Sequence, residues 1–300
     1  MIRKIEARGA LDISRRAKQG VGQVFQFAIA CGLASNDPTT HLRGALKPRP
    51  RVKHMSRLPL SELPAFIEKL HAYQEEGERR SAITRDAVLF ALLTWVRTKE
   101  LRFAAKSEFE DLGGKSPVWR IPAERMKMGR EHLVPLSQQA THIAKSMIAA
   151  APGEFLFPGT GPHKPLSENT MIYALYRLGY HSRQTVHGFR GLASTWANEQ
   201  LVEFGKPPMW IRKYHEDWVE LQLAHSEKND VRGAYNAAEY LAPRRRMMQD
   251  WADYLGGGKV IDIKKAGKRA AGKRWLRSDR SNPVCAQTIS TCDNPLDNHR

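Results

Sequence analysis

His187-Gly188-Phe189-Arg190-Gly191-Leu192-Ala193-Ser194-Thr195-Trp196 is the stretch on which the reading of this chain turns. At the helical period, positions 187, 190, 191 and 194 share one face, which reads His, Arg, Gly, Ser. Phe189, Leu192, Ala193 and Trp196 fall on the opposite side and point to a core. A helix that sets a guanidinium and an imidazole beside small residues on its open face can approach a phosphate closely. Taken alone, the stretch also fits a helix start with a solvated arginine and a capping histidine. Thr185 is the expected N-cap, with the helix running to about Glu199.

Outward from that helix, the middle of the chain reads as a helical domain with one small sheet. Leu63, Phe66, Ile67 and Leu70 lie on one side of a helix expected over 61–77. Residues 81–96 are mostly apolar (Ala87, Val88, Leu89, Phe90, Leu92, Leu93), the pattern of a helix buried all round, and Thr98 is the expected cap of the next one. Val118-Trp119-Arg120-Ile121-Pro122 and His132-Leu133-Val134-Pro135 are strand candidates flanking a basic turn. Further helices are expected over 137–150, 167–178 and 228–241, and Trp251 and Tyr254 pack a short terminal helix onto the core. The fold class is therefore mainly α with a small antiparallel β-sheet (α+β). Ahead of this domain, Val21, Val24, Phe25, Ala28 and Ile29 form a helical stripe within 15–33 that ends before the turn signal Asn36-Asp37-Pro38. One helix cannot bury itself, so the stripe looks like the tail of a larger helical unit. The expected organisation is a partial helical domain over 1–48, a Pro-, Arg- and Lys-rich linker over 49–57, the main domain over 58–255, and a basic, mostly disordered tail over 256–300.

The charge sits on the flanks. Over 300 residues the formal net charge is +17, and residues 1–57 hold 12 Lys/Arg against 3 Asp/Glu while residues 256–300 hold 10 against 4, which leaves the middle at +2. A strongly basic protein usually meets a polyanion. A core held on DNA by basic arms fits this distribution, and so does an ordinary core with basic ends. Three scattered cysteines, Cys31, Cys285 and Cys292, argue against a disulfide framework and for a reducing cytosol. The sequence has neither a Cys-x-x-Cys pair nor another metal-ligand cluster, so no metal or other cofactor is expected. No apolar run approaches the ~20 residues of a membrane helix, and the N-terminus has no signal-peptide core. A soluble, cytoplasmic protein without a membrane partner is the expectation.

Four more words frame the His-Gly-Phe-Arg. Arg97, in Thr94-Trp95-Val96-Arg97-Thr98-Lys99-Glu100-Leu101, ends an apolar helix, where a partly desolvated guanidinium can fork onto two phosphate oxygens or pair with Glu100. Lys127 lies at the tip of the expected hairpin beside Arg125 and Arg130, where a merely solvated lysine also fits. His225 closes Gln222-Leu223-Ala224-His225 after the apolar Val219, Leu221 and Leu223, and also reads as a satisfied core histidine. Tyr235, in Ala234-Tyr235-Asn236, shares a helical stripe with Val231, Ala234, Ala238 and Leu241, the pattern of a core tyrosine; spacing leaves Tyr214, Tyr240 and Tyr254 as rivals. Together, the types, order and spacing of Arg97, Lys127, His187, Arg190, His225 and Tyr235 resemble the active site of the tyrosine recombinases, the phage-integrase family. Ile121-Pro-Ala-Glu-Arg-Met-Lys-Met, Ala193-Ser-Thr-Trp and Met247-Met-Gln-Asp-Trp-Ala-Asp-Tyr-Leu255 are most similar to prophage and genomic-island integrases that insert at tRNA genes. Residues ~57–255 resemble the family's catalytic domain, and 1–48 the last part of its core-binding domain. Trp95 stands where many such enzymes have Gly, and Val202–Tyr214 is longer than the usual connection.

The resemblance implies a mechanism. Tyr235 attacks a scissile phosphate, leaving a 3′-phosphotyrosyl link and a free 5′-hydroxyl, so religation needs no nucleotide. Arg97 and Arg190 neutralise the non-bridging oxygens, Lys127 protonates the leaving oxygen, His187 accepts a proton or orients the nucleophile, and His225 donates to the phosphate. The implied partners are double-stranded attachment sites, three further copies in a homotetramer on DNA, and DNA-bending accessory proteins. A truncated remnant that binds DNA without recombining it, and a type IB topoisomerase, are the alternatives.

Overall fold

The structure, a computed structural model, describes residues 1–42, 44–48, 56–73, 81–161, 163–225 and 238–256. It opens on α1 (Ile2–Ala7) and α2 (Leu11–Ala30). Helix α2 begins before the expected stripe and stops at Ala30, past which Gly32 turns the chain at φ 71°. Of the expected stripe, Val24 and Ile29 are exposed and Val21, Phe25 and Ala28 are half-buried; the positions the helix buries are Ser14 and Gly22. Residues 44–48 fold back on this pair, the Lys47 amide donating to Glu6 Oε1 (3.0 Å) and Arg15 donating to the Lys47 carbonyl (2.7 Å).

The main domain follows with α3 (Leu63–Ala72), α4 (Ala82–Thr94), α5 (Thr98–Arg102), α6 (Gln138–Ala150), α7 (Thr170–Arg177), α8 (Gly188–Glu199), α9 (Glu216–Gln222) and α10 (Leu241–Leu255). Helix α4 is the axis of the core. Ser81 caps it, Oγ accepting from the Thr84 amide at 3.2 Å, and every residue from Ala87 to Thr94 is buried, as an all-round apolar helix requires. Helices α3, α6, α7, α8 and α10 pack around it. A three-stranded antiparallel sheet, β1 (Phe109–Glu110), β2 (Val118–Ile121) and β3 (His132–Pro135), sits to one side, with Trp119 opposite both Phe109 and Val134 and Ile121 opposite His132. Trp119, Ile121 and Val134 point into the core.

Two expectations need correction, and the long connection after α8 takes a defined form. The long connection after α8 is a hairpin, β4 (Leu201–Phe204) paired with β5 (Met209–Arg212), and all of its strand residues are exposed. The helix expected over 228–241 falls mostly outside the described residues; 238–240 are not helical, and α10 begins only at Leu241. That last helix is 15 residues long rather than short, and buries Met247, Met248, Trp251 and Leu255. Among the described residues no helix is long and apolar enough to cross a membrane. Most of 49–57 and all of 257–300 lie outside the described residues.

Candidate active site

Helix α4 ends at Trp95, fully buried and in the left-handed region at φ 62°. That turn sends Val96 and Arg97 away in extended backbone, and Arg97 (φ −75°, ψ 151°) becomes the N-cap of α5. Thr98, the expected cap, is instead the first helical residue. The capping acceptor is Glu100, whose Oε2 takes the Arg97 amide (2.7 Å) while Oε1 takes Arg97 Nη1 (2.7 Å). Arg97 Nη2 donates across the molecule to the Ala224 carbonyl at 2.9 Å. One guanidinium edge is thus fixed, and the side chain stays 23% exposed.

Helix α8 starts at Gly188, with Thr185 Oγ1 accepting from the Gly188 amide (2.9 Å), so Thr185 does serve the helix start. A Cβ on Gly188 would stand 2.4 Å from the Ser56 carbonyl oxygen; no larger residue lets residues 56–58 lie across this helix end. There the Ser56 carbonyl accepts from the Thr185 amide (3.2 Å) and the Leu58 amide donates to Gln184 Oε1 (2.8 Å). Phe189, Leu192, Ala193 and Trp196 are buried as the helical period predicts. Arg190 is buried as well, 4% exposed, instead of lying on an open face. Two turns cover it and supply its acceptors: Nη1 donates to the Trp95 carbonyl (2.5 Å) and Nη2 to the Leu223 carbonyl (2.5 Å), with His225 Nε2 at 3.2 Å.

His225 is no core histidine. Its side chain is 46% exposed, and Nδ1 lies 2.7 Å from Glu220 Oε2. The turn that carries it is tied to the end of α4 by the Gln222 side-chain amide, which donates to the Thr94 carbonyl at 2.9 Å. Residues 94–97, 190 and 222–225 therefore form one unit, although more than 120 positions separate its ends in sequence. His187 stands exposed at the mouth of α8. Partial desolvation of its ring, then the charges of Arg190, Arg97 and His225, hold its pKa below the ordinary imidazole value, which favours the neutral base at neutral pH. Burial, then the charge of Arg97, pushes Arg190 down to about 10, still a cation at neutral pH.

The electrostatics of this unit ask for an anion. Arg190 bonds to two carbonyl oxygens and an imidazole, and a second guanidinium lies close enough to repel it. Glu100 and Glu220 offset part of this repulsion, and an anion reaching the exposed side of Arg97 offsets more. A phosphodiester, with two non-bridging oxygens, matches two forked donors.

Lys127 is exposed in the 126–130 turn of the β2–β3 hairpin and shares no hydrogen bond with Arg97, Arg190 or His225. Its neighbour Arg125 turns inward, donating to Glu108 Oε1 (2.9 Å) and to the carbonyls of Glu100 (2.7 Å) and Phe103, which joins the hairpin to the Arg97 segment. Tyr235 lies outside the described residues. Of its rivals, Tyr214 donates to Asp250 Oδ2 at 2.7 Å, and burial and that carboxylate push its ionisation up, a poor setting for a nucleophile. Tyr254 stacks on Trp251 and lies against Trp196, near the far end of α8. Sequence reasoning missed His132 and Arg244, both buried near the site; Arg244 opens the run Arg244-Arg245-Arg246, which reads as a solvated basic patch, and His132 follows the charged Arg130-Glu131. Among the described residues no cluster of His, Cys, Asp and Glu is arranged to hold a metal ion.

Comparison with known proteins gives the same family. Residues 57–240 match the model of the phage integrase family, and residues 1–45 that of the phage integrase central domain. The integrase of Enterobacteria phage P4 is 39% identical over 271 residues, covering 85% of this chain and 57% of the relative. Prophage integrase IntZ of Escherichia coli strain K12 is 38% identical over 250 residues, covering 83% and 56%. The chain thus spans little more than half the length of these relatives. A lambda integrase dimer bound to a COC′ core site shares the fold at TM-score 0.54 and 18% identity, over 80% of each chain. With the family model covering most of the main domain and two relatives above one-third identity, the chain belongs to the phage integrase family.

Proposed function

We propose that this chain is a site-specific DNA recombinase, or the catalytic part of one, that breaks and rejoins duplex DNA through a 3′-phosphotyrosyl intermediate. The observation that carries the reading is the meeting of Arg97, Arg190 and His225 around one partly open, anion-seeking point. Tyr235 is the nucleophile. Its oxygen bonds to phosphorus as the bond from phosphorus to the 5′-oxygen breaks, and the reverse attack by a 5′-hydroxyl reseals the strand. Arg97 and Arg190, held rigid by carbonyl acceptors, face the charge that grows on the non-bridging oxygens. His187 takes the tyrosine proton or orients the hydroxyl. His225, held at Nδ1 by Glu220, turns its other nitrogen toward Arg190 and the phosphate site, where it donates to a phosphate oxygen. Lys127 delivers a proton to the 5′-oxygen. It is exposed in the DNA-free chain, so the reading requires the hairpin turn to close on bound DNA.

The proposed partners are a duplex attachment site, at a tRNA gene by similarity to prophage integrases, and further copies of the chain, with DNA-bending proteins as accessories. Lambda integrase has been solved as a dimer on a core site and as a tetramer on a Holliday junction, which supports this stoichiometry. The test is covalent trapping on a nicked suicide duplex bearing the candidate site. The unsubstituted chain is expected to give a protein–DNA band on denaturing gels, and Tyr235→Phe to give none while binding duplex as before. An adduct with Tyr235→Phe would assign the nucleophile elsewhere.

A further inference from the structure

Arg244 carries a buried charge that the proposed chemistry does not use. It lies in the first turn of α10 and has no solvent exposure. A buried guanidinium is tolerated only when its donors are matched, and an apolar side chain of similar volume would fill the space without that demand. Its acceptors show what the charge holds. Nη2 donates to the Leu133 carbonyl of β3 (2.6 Å) and to Gln222 Oε1 (3.0 Å), and Nε also reaches Gln222 Oε1 (3.3 Å). Nη1 donates to the Glu239 carbonyl (3.1 Å), with the Glu239 carboxylate at 3.6 Å. One side chain thus bonds to the strand after the Lys127 turn, to the residue three before His225, and to the main chain four residues after Tyr235.

Two of these attachments have independent support. Strand β3 pairs with β2 along its whole length. The 222–225 turn is held by Gln222 on Thr94, Arg190 on Leu223 and Arg97 on Ala224. Glu239 is different: residues 238–240 belong to no helix or strand, and Tyr240 sits in the left-handed region at φ 43°, a conformation that a non-glycine residue adopts under strain. The Arg244 fork holds this strained entry into α10.

We infer that Arg244 is a positioning residue, which fixes residues 238–240 relative to the Arg97–Arg190–His225 group and so sets the approach of Tyr235 to the phosphate. The inference rests on the reading of Tyr235 as nucleophile. The test compares tethered and untethered attack. Arg244→Met is assayed for duplex binding, thermal unfolding and single-turnover adduct formation on the nicked duplex. The same substitution is placed in the Tyr235→Phe background with hydrogen peroxide as a free nucleophile at the same phosphate. Adduct formation is expected to slow by about ten- to a hundredfold, the scale of a small misplacement. Duplex binding and peroxide cleavage are expected to stay within about threefold of their unsubstituted controls, because the phosphate pocket keeps its own bonds. Arg244→Lys, which retains the charge without the fork, replaces Arg244→Met if the latter does not fold. An unchanged adduct rate overturns the inference, and so does an equal fall in both reactions, which would make Arg244 a support of the pocket or the fold alone. A different result, no adduct from the unsubstituted chain, overturns the proposed reaction and the inference with it.

Discussion

Trp95 adopts a backbone conformation that glycine takes without penalty, at the one place where helix α4 must turn to deliver Arg97. Two effects oppose each other there. The left-handed backbone costs a non-glycine residue about 1–2 kcal/mol, whereas the buried indole, packed edge-on against Trp251 at 6.1 Å, is worth about 3–5 kcal/mol against truncation. Burial wins, so Trp95→Gly should destabilise the chain by about 2–3 kcal/mol even though it relieves the backbone; a shift of the urea midpoint to higher concentration would contradict this. The pairing of His187 with Arg190 was legible because a helix fixes the relation of residues three apart. The burial of Arg190 was not, since its acceptors are the carbonyls of residues 95 and 223, and a backbone carbonyl leaves no mark in a sequence. The same holds for the Ala224 carbonyl that steadies Arg97. His225 read equally well as core or site until Glu220 and Arg190 were seen on its two nitrogens.

Elements were legible in proportion to how asymmetrically they are buried. Helix α3 announced its face through Leu63, Phe66, Ile67 and Leu70, because one side of it meets the core, and β2 and β3 showed as short apolar runs on either side of a basic turn. The β4–β5 hairpin is exposed on both faces, so Leu201-Val202-Glu203-Phe204 shows no alternation and Gly205-Lys206-Pro207-Pro208 reads as plain loop. The α2 stripe has the helical period and yet leaves Val24 and Ile29 exposed, as a helix without the rest of its unit must. The hairpin's exposure has a measurable consequence. Its root is closed by the Lys213 amide donating to the Gln200 carbonyl at 2.8 Å, so the two ends already stand at turn distance. Replacing 201–212 by Asn-Gly, a two-residue hairpin turn, removes Phe204 (64% exposed) and Trp210 (69% exposed) with little loss of buried area. The melting temperature should move by no more than a few degrees, about 1 kcal/mol or less, and light scattering at high concentration should fall as the apolar surface goes. A large drop in melting temperature would show that the hairpin braces the domain.

The folding equilibrium of the whole molecule carries a signature of the cationic centre. His132, 7% exposed at the start of β3, is held neutral by burial first and then by the charges of Arg244, Arg190 and Arg97, down to about 3. His187 is lowered for related reasons, and His71 by burial and then by Arg85. All three shifts have one sign. A histidine whose folded pKa is depressed leaves the unfolded chain binding more protons once the pH falls below the unfolded value near 6.5, so stability is full above that pH and is lost on acidification. For His132 the loss continues towards pH 3 at about 1.4 kcal/mol per unit. Between pH 6.5 and 5 this one residue should therefore remove about 2 kcal/mol. His132→Gln, which cannot titrate, should cut the difference between the unfolding free energies measured with urea at pH 7 and pH 5 by that amount, whatever it does to stability at pH 7. The near-neutral middle of the chain, +2 over residues 58–255, keeps general charge repulsion within the domain small and leaves the histidine contribution readable. An unaltered pH dependence in His132→Gln would mean that the folded domain admits a proton beside three guanidinium groups, and the account of this centre as one of positive potential would fail with it.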